Sequence, residues 1–323
     1  MKPVVRKVLS VLRIALGIGL LWYLATSGML DWSRLLGLAH AWPLTLAAAT
    51  LFLIDLVITA SRLCVLMRAL DLRLALSGAV QLSLIGLFFG TVLPGAASGE
   101  VFRIYYAASG NEGRRMEVGT VMLLDRALGV FALLLWPLLV IPFIPRSLLD
   151  NDVIRGLLLG AAIFVGVLLV GMLVVLSARL RHSRLVTWTL AHIPLGAYLT
   201  RVVDTVHAYR TRPSALLAAV GISLVAHTMS IGIALLIAEA ILPTGAAAEM
   251  TVLIPFGHVA NTIPLTPGGL GVGEAAFDRL FGLAGLSGGA EVLLGWRLIT
   301  ILVSLGGLAI YLRGARRLVH QAA

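Results

Sequence analysis

The chain has 323 residues, of which 59% are hydrophobic and only 12% charged, with a mean hydropathy of +1.01. A soluble protein of that make-up could not cover itself with polar surface, and runs of about twenty apolar residues recur along the sequence, each long enough to cross a hydrocarbon core. The formal charge is +10, and only Lys2 and Lys7 are lysines, so no P-loop lysine exists for a nucleotide site, and the basic residues point to topology and anionic headgroups rather than nucleic acid.

In chain order, a basic start (Lys2, Arg6, Lys7) leads into an apolar run at about Val8–Leu24, read as a retained first span rather than a cleaved signal. Further spans are expected at about Trp42–Ser61, Val118–Ile141, Ile154–Ser177, Ala215–Leu242 and Glu291–Leu312. Two apolar stretches do not fit single spans. One, about Leu76–Ala107, is broken at Leu93, Pro94 and Gly95; the other, about Thr251–Leu283, is broken at Pro264, Pro267, Gly268 and Gly269. Each arm would be about 18–25 Å of helix, shorter than a ~30 Å core. Proline and glycine at the breaks favour turns, so both stretches are expected to be re-entrant hairpins. The distribution of arginine agrees. If the first broken stretch returns to its starting side, most of the 25 basic residues fall on the cytoplasmic face, and both termini lie there.

The loop at 178–213 is too polar to span. Leu180, Leu185, Trp188 and Leu190 among arginines suggest either a surface amphipathic helix or a solvated linker. Asp150, Asn151 and Asp152 read as a solvated turn beside Arg146 and Arg155 rather than a metal site. The single cysteine, Cys64, allows no internal disulfide, and no metal or cofactor motif is present.

The order of elements repeats. Span, span, hairpin, span covers 1–145, and the series recurs in 146–323 after the second half's own start. Three spans per copy would insert the second copy upside down. The expected fold is therefore all-α, six transmembrane helices plus two re-entrant hairpins in an inverted repeat, an arrangement that secondary transporters use to meet substrate near the midplane. Unwound backbone at that depth is tolerated only where protein buries it or a wet cavity accepts it.

Ionisable groups in such a bundle are expensive and must pair or face water. The candidate substrate-binding set is Glu100, Arg103, Asp125, Arg126, His258, Asn261, Glu274 and Arg297, with Pro94, Gly95, Pro267, Gly268 and Gly269 shaping the turns. The arginines could hold a lipid phosphate through bidentate bonds. The alternative is that Arg126 and Arg297 neutralise Glu274 and Glu100 and stabilise the hairpins. The glycines from Gly268 to Gly273 could cradle an anion or pack helices closely.

Three segments carry a family resemblance: Thr91-Val92-Leu93-Pro94-Gly95 with Gly99-Glu100-Val101-Phe102-Arg103; Leu124-Asp125-Arg126-Ala127-Leu128-Gly129; and Pro264-Leu265-Thr266-Pro267-Gly268-Gly269-Leu270-Gly271-Val272-Gly273-Glu274. In these the chain resembles the lysylphosphatidylglycerol synthase transmembrane family, the flippase-like domain of MprF-type proteins. The resemblance implies lipid movement between the leaflets of a bacterial inner membrane, by a protein that is not an enzyme. Its substrates would be anionic, aminoacylated, hopanoid or glycolipid molecules, and its protein partners a second copy or a separate lipid-synthesising enzyme. No aminoacyl-transferase domain follows Ala323, so synthase activity is not expected of this chain. A membrane-embedded lipid-modifying enzyme with Glu100 or Glu274 as base, or a non-catalytic subunit of a biosynthetic complex, are the competing expectations.

Overall fold

The computed structural model describes residues 32–92, 98–181, 196–242, 247–262 and 269–313, together with Trp22, Thr26 and Thr266. Every regular element among them is helical. The expected first span at Val8–Leu24, apart from Trp22, and the turn residues Pro94, Gly95, Pro267 and Gly268 lie outside the described residues.

The principal helices are α1 (Trp42–Ala69), α2 (Leu76–Val92), α3 (Ser98–Ser109), α4 (Arg115–Leu139), α5 (Asp152–Leu176), α6 (Gly196–His207), α7 (Pro213–Ile241), α8 (Ala247–Asn261), α9 (Val272–Leu283) and α10 (Gly289–Leu312). Five of them, α1, α4, α5, α7 and α10, are long and apolar enough to cross a membrane. The chain is a multi-pass membrane protein. Their starts follow ordinary local chemistry. Pro43 and Pro213 occupy first-turn positions where no amide donor is required. Asn151 caps α5 by accepting from the Val153 and Ile154 amides at 2.9 and 3.4 Å, a contact worth about 1 kcal/mol.

The centre of the bundle is the long contact between α1 and α7. The two helices run antiparallel. At one end Tyr209, just before α7, donates to Leu66 O near the end of α1 at 2.8 Å, and Arg212 donates to Ala69 O at 2.9 Å. At the other end Gly37, just before α1, lies against Ala240 and Ile241 at the end of α7.

Each broken stretch begins and ends at one end of this pair. Asn111, after α3, exchanges two hydrogen bonds with the Arg73 backbone, before α2, at 2.8 and 2.9 Å. Arg114 donates to Leu70 O at 3.0 Å, tying the start of α4 to the same corner. At the opposite end, Gly288, before α10, abuts Leu242, after α7, so closely that a Cβ there would lie 2.0 Å from its Cδ1. The α2–α3 and α8–α9 segments thus start from opposite ends of the α1–α7 pair.

Glycine allows the arms to pack. A Cβ on Gly99 of α3 would sit 2.1 Å from Gly86 O of α2, and one on Gly257 of α8 would sit 2.5 Å from the Phe277 ring of α9. The arms also cross between halves: α2 packs on α10, with Gly307 admitting the Leu84 carbonyl, while α8 packs on α4.

The structure corrects one boundary. The second span was expected to end near Ser61 with Arg62 beyond it, but α1 continues to Ala69 and Arg62 is buried inside the bundle. Within the 178–213 loop the described residues form a short helix at Ala178–Arg181 and α6, which lies against α4 and α5.

Candidate functional site

Among the described residues, three clusters of charged side chains hold the candidate acids and arginines, and each joins one helix to another. The first forms where α3 meets α4. Glu100 lies in the first turn of α3, where a carboxylate is favoured by the helix dipole. Its Oε1 accepts from Arg103 Nη1 at 2.7 Å and lies 3.2 Å from Arg126 Nη1 of α4. The stem of Arg103 passes over Gly86 of α2, where a Cβ would be 2.5 Å from its Cδ. Arg103 Nε is buried and meets no acceptor among the described residues. Arg126 is 51% exposed. Two guanidinium groups therefore share one carboxylate, which leaves an excess positive charge and free donors at an open edge.

The second cluster is built from the same residue types, where α9 meets α10. Glu274 also lies in the first turn of its helix, α9, and is fully buried. Its Oε1 accepts from Arg297 Nε of α10 at 2.5 Å, and its Oε2 accepts from the Gly271 amide at 2.7 Å. Arg297 Nη2 also donates to Asn261 Oδ1 at 2.8 Å. Gly271 has φ of 77° and Gly269 has φ of 71°, backbone that side chains with a Cβ adopt at a cost. At both Gly269 and Gly273 a Cβ would run into Asn261. One acid meets one arginine here, and Glu274 is closed off from outside.

The third cluster joins α1, α4 and α7. Arg62 donates from Nε to Asp125 Oδ1 at 2.7 Å, from Nη2 to Asp125 Oδ2 at 3.0 Å, and from Nη1 to Ser223 Oγ at 2.9 Å. One turn further along α4, Gly129 leaves room for the guanidinium, and its carbonyl pairs with His227 Nε2 of α7 at 2.9 Å. His258 stands apart from all three clusters, edge-on to Phe277 at 5.5 Å and to Trp296 at 4.9 Å.

The candidate residues thus separate into groups. Glu100, Arg103 and Arg126 come together, as do Asn261, Glu274 and Arg297. Asp125 joins neither, and His258 lies among aromatic rings. The pairing of Arg126 with Glu274 and of Arg297 with Glu100 does not occur: each arginine takes the glutamate of its own half. The Gly271 amide is taken by Glu274 itself, and Gly269 and Gly273 serve close packing around Asn261.

Arg62, Ser223 and His227 were not among the candidates. A signal for Arg62 existed, because neighbouring residues on a helix point about 100° apart. Asp125 and Arg126 could not both face Glu100, so Asp125 required a cation on another helix.

The described residues contain no group of three or more His, Cys, Asp or Glu side chains placed to hold a metal. No curated protein and no solved structure matches the chain significantly. The family described as the lysylphosphatidylglycerol synthase TM region matches residues 10–307, nearly the whole chain, and this protein belongs to that family.

Proposed function

We propose that the protein moves a polar lipid between leaflets, holding the headgroup phosphate at Arg126 and Arg103 while the acyl chains remain in the bilayer. The observation that carries this reading is the half-exposed Arg126, which shares Glu100 with Arg103. An open guanidinium with spare donors suits a phosphate, which accepts bidentate charge-assisted bonds. Around it the exposed surface is apolar. Val101 and Tyr105 lie one turn apart on α3, and Leu123 lies one turn from Arg126 on α4. Acyl chains can rest there while the headgroup reaches the arginine.

The path of the chain supports the same reading. Two broken stretches that start from opposite ends of an antiparallel pair are what an inverted repeat with re-entrant hairpins produces. In a membrane the α2–α3 hairpin would enter from one face and the α8–α9 hairpin from the other. The two halves, 1–145 and 146–323, then differ in role: the first carries an open cationic site, the second a closed neutral pair. The protein changes no covalent bond in this scheme, and its partners are the lipids themselves.

The test is lipid movement by purified protein in liposomes of phosphatidylglycerol and phosphatidylethanolamine carrying a fluorescent phosphatidylglycerol. Wild type should exceed empty vesicles, and Arg126→Ala should fall toward the empty-vesicle rate. Wild type indistinguishable from empty vesicles, for anionic and zwitterionic reporters alike, contradicts the proposal.

A further inference from the structure

Among the described residues, buried Glu291 of α10 pairs with Arg34 at 3.8 Å, and two further ionisable side chains inside the bundle, an aspartate and a histidine, belong to none of the charged clusters. Asp55 Oδ1 on α1 and His258 Nε2 on α8 are buried and have no hydrogen-bonding partner among the described residues. The Trp296 ring of α10 touches His258 directly and touches α1 one helical turn before Asp55. His258 meets it at 4.9 Å, and Phe52, one helical turn before Asp55 and on the same face of α1, meets it at 5.5 Å. The indole Nε1 of Trp136, from the same apolar cluster, is also buried without an acceptor.

An unfilled buried acceptor costs about 1–3 kcal/mol, and a charged one more. A membrane protein that keeps a carboxyl and an imidazole in such a place commonly uses them for protons. We propose that Asp55 and His258 form a proton-binding site through which a proton gradient drives lipid movement. This rests on the reading that the chain transports lipid. The step is simple to balance. A proton from water adds to the Asp55 carboxylate and makes a neutral carboxyl group whose O–H can donate; release restores the carboxylate. His258 Nε2 accepts or returns the same proton, and no other bond changes.

Of the charged groups on the helices around this pair, Glu239 of α7 is exposed and Glu291 of α10 pairs with Arg34. Arg62, two turns along α1, is held by Asp125 of α4 and Ser223 of α7. His227 of α7 is held by the Gly129 carbonyl. Arg297 of α10 is held by Glu274 of α9, the helix packed on α8 that also carries Asp278 and Arg279. On the remaining neighbours of α1, helix α2 has no titratable residue, and His40 binds Leu36 O in an exposed turn. Asp55 therefore has no ion-pair partner among the described residues, and a proton of its own would neutralise it.

The experiment uses the same liposomes with a pH difference of about one unit across the membrane, which for one coupled proton can bias a distribution up to about tenfold. Leaflet occupancy of fluorescent phosphatidylglycerol and the internal pH are read together. Wild type should accumulate the lipid in one leaflet under the gradient and carry protons only when lipid is moving. Asp55→Asn and His258→Gln should still equilibrate lipid without a gradient but lose the bias, and Asp55→Glu should regain it, which separates loss of coupling from failure to fold. Lipid movement in wild type that ignores the gradient overturns the proton site and leaves the transport reading standing. A bias in Asp55→Asn equal to wild type also overturns it. No lipid movement in wild type, with or without the gradient, overturns both.

Discussion

Arg126 reaches Glu100 across the α3–α4 contact at 3.2 Å with about half of its side chain exposed, 51% by area. Arg297 grips a Glu274 that has no exposure at all. The same two residue types, a glutamate in the first turn of one helix and an arginine on the next, therefore form one open pair and one sealed pair.

The open pair predicts a functional defect with little loss of stability. Arg126→Ala should lower lipid movement by about tenfold or more, since a hydrogen bond to a charged group is worth about 1.5–3 kcal/mol. Arg126→Lys should recover only part of the rate, because an ammonium cannot bind phosphate in the bidentate manner of a guanidinium. The melting temperature in detergent should stay close to that of wild type for both variants.

The sealed pair predicts the reverse. Arg297→Ala leaves the Glu274 carboxylate buried beside only the Gly271 amide, and removing one partner of a buried pair costs about 3–5 kcal/mol. A clear drop in melting temperature should follow. Replacing both members, Glu274→Gln with Arg297→Met, should recover much of that loss. Unchanged melting in Arg297→Ala would show that the pair does not hold α9 to α10.

Arg62 and Asp125 predict coupling of the same kind between α1 and α4. Asp125→Ala and Arg62→Ala should each destabilise, and the double variant should lose less than the sum, as a double-mutant cycle in thermal melts can measure. Additive losses would mean that the 2.7 Å contact contributes little.

Close backbone contact between the arms of the first broken stretch predicts intolerance of size. Gly99→Val places a side chain where even a Cβ would be 2.1 Å from Gly86 O, so α2 and α3 must separate. Folded yield after detergent extraction should fall sharply. Gly156→Val on α5, where a Cβ meets nothing within 4 Å, is the matched control and should be tolerated.

Much of the helical order was legible in the sequence, because long apolar runs bounded by arginine and proline leave few other options in a membrane. The boundaries of α4, α5, α7 and α10 fall within a few residues of those the runs suggest. The end of α1 was not legible. Arg62 looks like a flanking charge when only hydropathy is read, and its place inside the bundle depends on Asp125, 63 residues away. Glu100, Arg126, Glu274 and Arg297 stood out because each is a charge within a largely apolar segment. Which glutamate each arginine takes was not readable, since that is set by how the arms of each broken stretch lean on the following helix. Ser223 and His227 gave no signal, because small polar residues and lone histidines are common in helices that merely pack.

The account depends most on both broken stretches returning to the side they left, and cysteine accessibility in sealed vesicles measures this directly. On a Cys64→Ala background, Arg73→Cys and Glu112→Cys flank the α2–α3 segment, while Ala248→Cys and Ser287→Cys flank the α8–α9 segment; all four sites are exposed. The account predicts that a membrane-impermeant reagent labels the first two from one face only, and the last two from the other face only. Labelling of Arg73→Cys and Glu112→Cys from opposite faces would contradict it.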